Sequence, residues 1–216
     1  MKAFLFCTLV LATASILSAG AESDRCIEYN HDGTFEFEIA WSDSGVQAPY
    51  YGAFGEAYWV DSGLLNAVVL WLTQDGTYQG QSLDLYVWEG GYCDEPLNVL
   101  WVEPGLQPQD LPVWPEVGEN YYPVEVFVYY DCTVGYWGNW PGQAPGFFVA
   151  VDETPSESGH PWTHIAPGLP YPSGWQHPDV VWDRRHCESL GLGIDVDRQP
   201  SPAEAPSWGS IKSLFR

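Results

Sequence analysis

Short runs in which apolar and polar residues alternate recur along the chain, and they constrain the fold more than any other feature of the sequence. In residues 35–41 and 83–88 every second position is strongly apolar. This period of two indicates β-strands with one face in the core, because successive side chains of a strand point to opposite faces. Residues 66–73 are apolar at nearly every position, which predicts a central strand that is covered on both sides.

The strand patterns together predict an all-β protein, an antiparallel β-sandwich that is jelly-roll-like, with about nine strands and no substantial helix. Residues 105–119 are rich in proline and predict a surface crossover. Residues 153–178 hold six prolines together with Trp162 and Trp175, which predicts an irregular segment that packs back on the sandwich as a cover. The predicted strands are 35–41, 56–61, 66–73, 83–88, 98–102, 124–131, 147–152, 180–182 and 190–196.

The two ends of the chain differ in composition from the part between them. Lys2, an apolar run over 4–17 and the small residues 19–21 predict a signal peptide over 1–21, and hence a secreted, extracellular or cell-surface protein. The β-sandwich domain is expected over 22–197. A proline-rich linker over 198–206 and a short basic C-terminal tail over 207–216 follow it.

The chain is strongly acidic, with a formal net charge of −22 and no lysine or arginine between Cys26 and Asp183. Nucleic acids and anionic membrane surfaces are therefore excluded as partners, since both are bound through basic groups. A solvated acidic surface is the simplest interpretation, and no cofactor is predicted. Ca²⁺ bound by carboxylates is the alternative, but no Asp-x-Asp-x-Asp-Gly loop is present.

Four cysteines remain after removal of the signal peptide: Cys26, Cys93, Cys132 and Cys187. In an exported chain they predict two disulfides, for which three pairings exist. The preferred pairing joins Cys93 to Cys132 at one end of the sheet and Cys26 to Cys187 near the termini. Free thiols are the alternative.

Aromatic residues in two places are candidates for ligand binding. The first group lies in a segment rich in glycine and proline over 135–142, which is predicted to be a loop, and the second lies on the outer face of the strand over 83–88. Exposed rings there would stack on sugar rings. The alternative is that they pack against the sandwich, because tryptophan and tyrosine bury large areas. The candidates are Tyr136, Trp137, Asn139 and Trp140, and then Tyr86 and Trp88.

Metal binding and catalysis have weaker support in the sequence. His160 and His164 are a possible metal pair, to which Asp152 or Glu153 would add ligands, but a structural role is the better interpretation because Pro161 excludes a helix that would align them. A metal site is therefore left open. No Gly-x-Ser-x-Gly, His-Glu-x-x-His or phosphate-loop motif is present, and no catalytic residue is predicted.

Several segments resemble β-sandwich modules of secreted bacterial proteins. These are Asp32-Gly33-Thr34-Phe35-Glu36, Asp84-Leu85-Tyr86-Val87-Trp88 and the block over 134–142. The C-terminal Trp208-Gly209-Ser210-Ile211-Lys212 resembles a short tail on such exported proteins, which implies a sorting or surface-attachment signal. The resemblance implies a fold and a location but no activity.

These observations predict a secreted, non-catalytic β-sandwich module with a structural or ligand-binding role, whose partner is a glycan or another surface protein. The alternative is a lectin-like carbohydrate-binding module or a jelly-roll glycoside hydrolase. A groove containing two carboxylates about 5–10 Å apart would favour the hydrolase. A flat, exposed strip of aromatic residues without such a pair would favour the lectin.

Overall fold

The computed structural model describes residues 27–41, 51–138, 145–154, 159–182 and 185–198. These residues form eleven strands and one short 3-10 helix, Pro178–Val180. The prediction of an all-β, antiparallel fold without substantial helix is confirmed. The strands are β1 Ile27–Tyr29, β2 Phe37–Ile39, β3 Ala53–Thr73, β4 Leu83–Glu89, β5 Val99–Leu106, β6 Gly118–Gly138, β7 Phe148–Asp152, β8 Pro161–Ile165, β9 Gly174–Gln176, β10 Ser189–Leu190 and β11 Leu192–Arg198.

The strands form one antiparallel sheet whose main path runs β1-β11-β3-β6-β4-β5. β7 pairs with the end of β3 and also with β2 and β10, while β8 pairs with the start of β3 and with β9. The main hydrophobic core draws its side chains from β2, β3, β4, β6, β7, β10 and β11. The sheet therefore folds around this core, as expected for a sandwich-like protein.

The organising element is the ladder between β3 and β6, which are 21 residues long each. The prediction of two separate strands over 56–61 and 66–73 is wrong, because β3 runs continuously through both. Its pairing with β6 contains two register shifts, one at Val60 and one at Asn66. Such bulges keep a strand continuous while changing which side chains face the core.

The predicted loop over 135–142 begins too early, because β6 continues to Gly138. Gly135 lies opposite Gly55, and a Cβ atom at Gly135 would lie 1.9 Å from the Phe54 carbonyl oxygen. The glycine is therefore required by the close approach of β3 and β6 and does not mark a turn. Residues 139–144 lie outside the described part of the chain.

A second, smaller core lies on the other face of β3, β4 and β6, where Ala53, Tyr86, Trp88, Trp137 and Trp175 pack together. Trp175 comes from β9, and Trp162 of β8 packs against the same cluster. The prediction that the segment over 153–178 covers the sandwich is confirmed, but the segment is more regular than predicted because it contributes both strands.

Three other segments also differ from prediction. The predicted strand over 180–182 is replaced by the 3-10 helix, which begins at Pro178, a residue suited to a first helical turn. The strand predicted over 35–41 is shorter, and the polar lead-in before it holds β1. Asp84, on the face expected to be exposed, is buried and accepts a hydrogen bond from the Gly105 backbone N–H at 2.8 Å.

Glu56 of β3 is fully buried and joins three distant segments. Its carboxyl oxygens accept hydrogen bonds from Asn30 Nδ2 and the His160 backbone N–H, both at 2.7 Å, and from the Leu190 backbone N–H at 3.0 Å. Burial raises the pKa of Glu56 to about 7, even though these donors favour the ionised form. The side chain is therefore a structural junction in the fold.

Candidate functional site

The aromatic residues that the sequence proposed as a binding platform are buried. Tyr86, Trp88, Tyr136 and Trp137 are each at most 8% exposed. The Tyr86 and Trp88 rings stack at 5.0 Å, the Trp88 ring meets Trp175 edge-on at 5.1 Å, and Trp137 Nε1 donates to the Tyr51 carbonyl at 2.7 Å. An exposed platform is therefore wrong for these four residues, and packing against the sandwich is confirmed. Asn139 and Trp140 lie outside the described residues.

A different group of aromatic side chains is exposed, on the middle of the β3–β6 ladder. Trp59 is 47% exposed, Phe127 43%, Tyr129 67% and Tyr130 64%, and the half-buried Tyr92 lies beside Trp59. We refer to these five residues as the aromatic strip. Exposed apolar residues are ordinary when scattered, but a contiguous group of them marks an interaction site.

The geometry of the strip follows from strand periodicity. Phe127 and Tyr129 are two residues apart on β6 and point to the same face, with ring centroids 4.8 Å apart. Asp131 follows on that face and lies opposite Trp59 of β3, whose ring meets Tyr92 at 5.9 Å. The strip extends over four residues of β6, from Phe127 to Asp131, and then over the 5.9 Å between the Trp59 and Tyr92 rings, which makes it roughly 20 Å long. Within each of the two ring pairs the ring planes are steeply inclined, at 65° for Phe127 and Tyr129 and at 63° for Trp59 and Tyr92.

The backbone beneath the strip is strained. Asp61 and Tyr130 lie opposite each other in the ladder, and both have positive φ, 69° and 66°. Residues other than glycine seldom adopt this conformation, which costs of order 1–3 kcal/mol each. Because of it, Tyr130 is exposed, although its alternate neighbours Val128 and Cys132 are buried in the core. Strain of this kind concentrates at functional sites.

Carboxylates surround the strip. Asp131 lies within it and accepts a hydrogen bond from the Tyr92 backbone N–H at 3.0 Å. Asp61 and Glu125 are exposed on the same two strands, and Asp197 lies in register with Leu64 and Phe127 across β11, β3 and β6. Arg198 is nearby, but its guanidinium is held by the Glu28 carboxylate and by the carbonyls of Trp59 and Val60.

The predicted disulfide between Cys93 and Cys132 is not formed. Both residues are free thiols, and Cys93 is exposed in the loop after β4 while Cys132 points into the main core from the middle of β6. The prediction was wrong because it placed Cys132 at one end of the sheet, whereas β6 continues beyond it to Gly138. Cys187 is also a free, buried thiol, and Cys26 lies outside the described residues.

His160 and His164 do not form a pair. Four residues along an extended chain place them about 13 Å apart, too far to share one metal ion. His160 packs on Tyr92 with ring centroids 4.0 Å apart, whereas His164 lies against Tyr51 and Trp175. Burial lowers the pKa of both histidines, that of His164 to about 4. Among the described residues, no cluster of three or more histidine, cysteine, aspartate or glutamate residues is arranged to hold a metal.

The sequence contained a signal for the aromatic strip that was missed. In β6, Val126 and Val128 alternate with Phe127 and Tyr129, so one face is β-branched and the other aromatic. The smaller valines face the core and the rings face solvent. The prediction of a strand over 124–131 did not distinguish these two faces.

No protein-family model, curated protein or solved structure matches this chain. Within the described ranges, no helix has the length and apolar character needed to cross a membrane.

Proposed function

We propose that the chain is a secreted, non-catalytic binding module that holds a carbohydrate chain on its aromatic strip. The observation that carries the proposal is the row of exposed rings formed by Phe127, Tyr129 and Trp59. The C–H face of a sugar ring stacks on a flat aromatic ring, and tyrosine adds a hydroxyl for hydrogen bonding. A row of exposed rings along one ladder suits a linear polymer of sugars.

The rings stand on one face of the ladder, so a ligand that stacks on them contacts side chains and not the main chain. Over residues 127–131, β6 is paired with β3, and its pairing with β4 covers only residues 132–138. A peptide strand added at that edge is therefore the competing mode of binding, and it would not depend on the rings.

The placement of the titratable carboxyl groups supports a non-catalytic role. Glu56, whose pKa near 7 would suit a general acid, is fully buried and held by three donors, so a substrate on the strip cannot reach it. Asp131, within the strip, is engaged by the Tyr92 backbone. The site is therefore suited to holding a ligand in place.

A glycan array followed by isothermal titration on the best ligand tests the proposal. Trp59→Ala and Tyr129→Ala should each weaken binding about tenfold or more, because each removes a stacking ring. Tyr29→Ala is the matched control, since Tyr29 is also half exposed but lies on edge strand β1. Its affinity should stay within about twofold of the wild type.

Two results would contradict the proposal. Binding to no glycan would leave a structural role without a ligand. Glycan binding that survives both strip substitutions would place the site elsewhere. Circular dichroism of each variant distinguishes a lost contact from a lost fold.

A further inference from the structure

We infer that the glycan bound by the strip carries positive charge, as in a polymer of amino sugars with free amino groups. This inference rests on the proposed function and adds the chemical class of the ligand. It is drawn from the charges around the rings, which the stacking argument does not use.

Carboxylates face the strip from three strands. Glu125 precedes Phe127 on the same face of β6, Asp131 follows Tyr129 and lies opposite Trp59, and Asp61 lies opposite Tyr130 on β3. Asp197 completes the set from β11, in register with Phe127. A cationic group on a bound sugar would thus meet carboxylates on the strands that carry the rings and on their neighbour β11.

Neighbouring basic groups do not cancel this field. Arg198 is bound through its guanidinium to both oxygens of Glu28, so the two charges offset each other locally. His160, which packs on Tyr92, has its pKa lowered mainly by burial and is neutral at physiological pH. The sequence has no lysine or arginine between Cys26 and Asp183. Anionic polysaccharides are accordingly repelled by the site.

The rings add to the same preference. The face of an aromatic ring carries negative charge density and attracts an ammonium group within about 6 Å. Stacking and charge therefore act on the same ligand, with rings holding the sugar faces and carboxylates receiving the amino groups. A neutral glycan would use the rings alone, and an anionic one would meet repulsion.

Three oligosaccharides of equal length separate these cases: β-1,4-linked glucosamine, its fully N-acetylated form and an oligouronate. At low salt we expect the glucosamine oligomer to bind at least about tenfold more tightly than the acetylated one, and the oligouronate not to bind. The advantage should fall to within about twofold near 0.5 M salt, because ions screen exposed charges.

Charge variants locate the effect on the protein. The double substitution Asp61→Asn with Glu125→Gln should weaken glucosamine binding about tenfold and leave the acetylated oligomer within about twofold. The matched control is Glu103→Gln with Glu116→Gln, which changes the net charge equally at exposed positions outside the strip. That control should bind both oligomers like the wild type.

Every other result decides against the inference. Equal binding of the glucosamine and acetylated oligomers would refute the charge preference and leave the proposed function standing, whereas binding of none of the three would count against both. Glucosamine binding unaffected by Trp59→Ala would mean adsorption to a generally acidic protein. Strip-dependent binding of oligolysine at equal affinity would identify a basic peptide as the partner.

Discussion

The buried carboxyl of Glu56 predicts an unusual dependence of stability on pH. Burial raises its pKa from 4.5 to about 7 in the folded protein. The contribution of Glu56 to the free energy of unfolding is therefore fully present below about pH 4.5, where the carboxyl is protonated in both the folded and the unfolded state. It is lost as the pH rises through about 7, because the folded state must then keep a charge buried.

The magnitude follows from the two pKa values. A difference of about two and a half pH units corresponds to about 3 kcal/mol, at 1.36 kcal/mol per unit. That is a large part of the free energy of unfolding of an ordinary domain.

Urea denaturation of the wild type and Glu56→Gln at intervals between pH 4.5 and 8 measures this contribution. The comparison is needed because burial lowers the pKa of His31 and His164 to about 4. The contribution of these two histidines to the free energy of unfolding is therefore lost as the pH falls below about 6.5. Subtracting the two curves removes both terms. The glutamine also places an N–H against backbone donors, a penalty that does not vary with pH.

The advantage of the wild type over Glu56→Gln should shrink by about 3 kcal/mol from pH 4.5 to 8. Glu103→Gln, at an exposed position of β5, should give a curve parallel to the wild type. An advantage that stays constant or grows with pH would mean that the three donors keep Glu56 ionised in the folded protein, and the reasoning from burial would be refuted.

Other substitutions test the core and the ladder. Leu85→Asp should abolish folding, as measured by circular dichroism, because it buries an unpaired charge. Asp84→Asn weakens a buried hydrogen bond to a backbone N–H and should lower the free energy of unfolding in urea by about 1 kcal/mol. The opposite ranking would mean that the strand register is reversed. Gly135→Ala should lower the free energy of unfolding by more than about 2 kcal/mol, and a neutral effect would contradict the close strand contact. Alkylation of the native protein, followed by mass spectrometry, should modify only Cys93 among the three described cysteines. The two buried thiols should react only in denaturant. Protection of Cys93 would indicate a disulfide.

Alternation along single strands was enough to predict the fold class and β4, because the period of two is local information. It failed where local signals have two meanings. A glycine-rich run such as the one around Gly135 is typical of a turn. Gly135 is instead required by a close contact with Phe54, which lies more than eighty residues away in the chain. A bulge such as that at Val60 leaves no mark in composition, so β3 was divided into two predicted strands.

The candidate site was the harder part to predict, for a related reason. Whether a tryptophan is exposed depends on what covers the face it occupies. Trp88 and Trp59 both point away from the main core, but β8 and β9 cover the first and leave the second half exposed. That cover pairs with β3 only at residues 54–56. Nothing near Trp59 in the sequence reveals where the cover ends.

The long ladder also determines the order in which the domain can assemble. Each residue of β3 pairs with a residue of β6 that lies far ahead in the chain. The separation ranges from 46 positions, between Leu72 and Gly118, to 84 positions, between Ala53 and Trp137. β11, which pairs with β3 on the other side, follows later still. During synthesis, β3 therefore emerges long before its neighbours, and residues 67–72 are uncharged and strongly apolar. Such segments tend to aggregate while they remain unpaired. Recovery of this protein should therefore depend on how quickly the chain is completed, and β3 is the segment that a chaperone would have to shield.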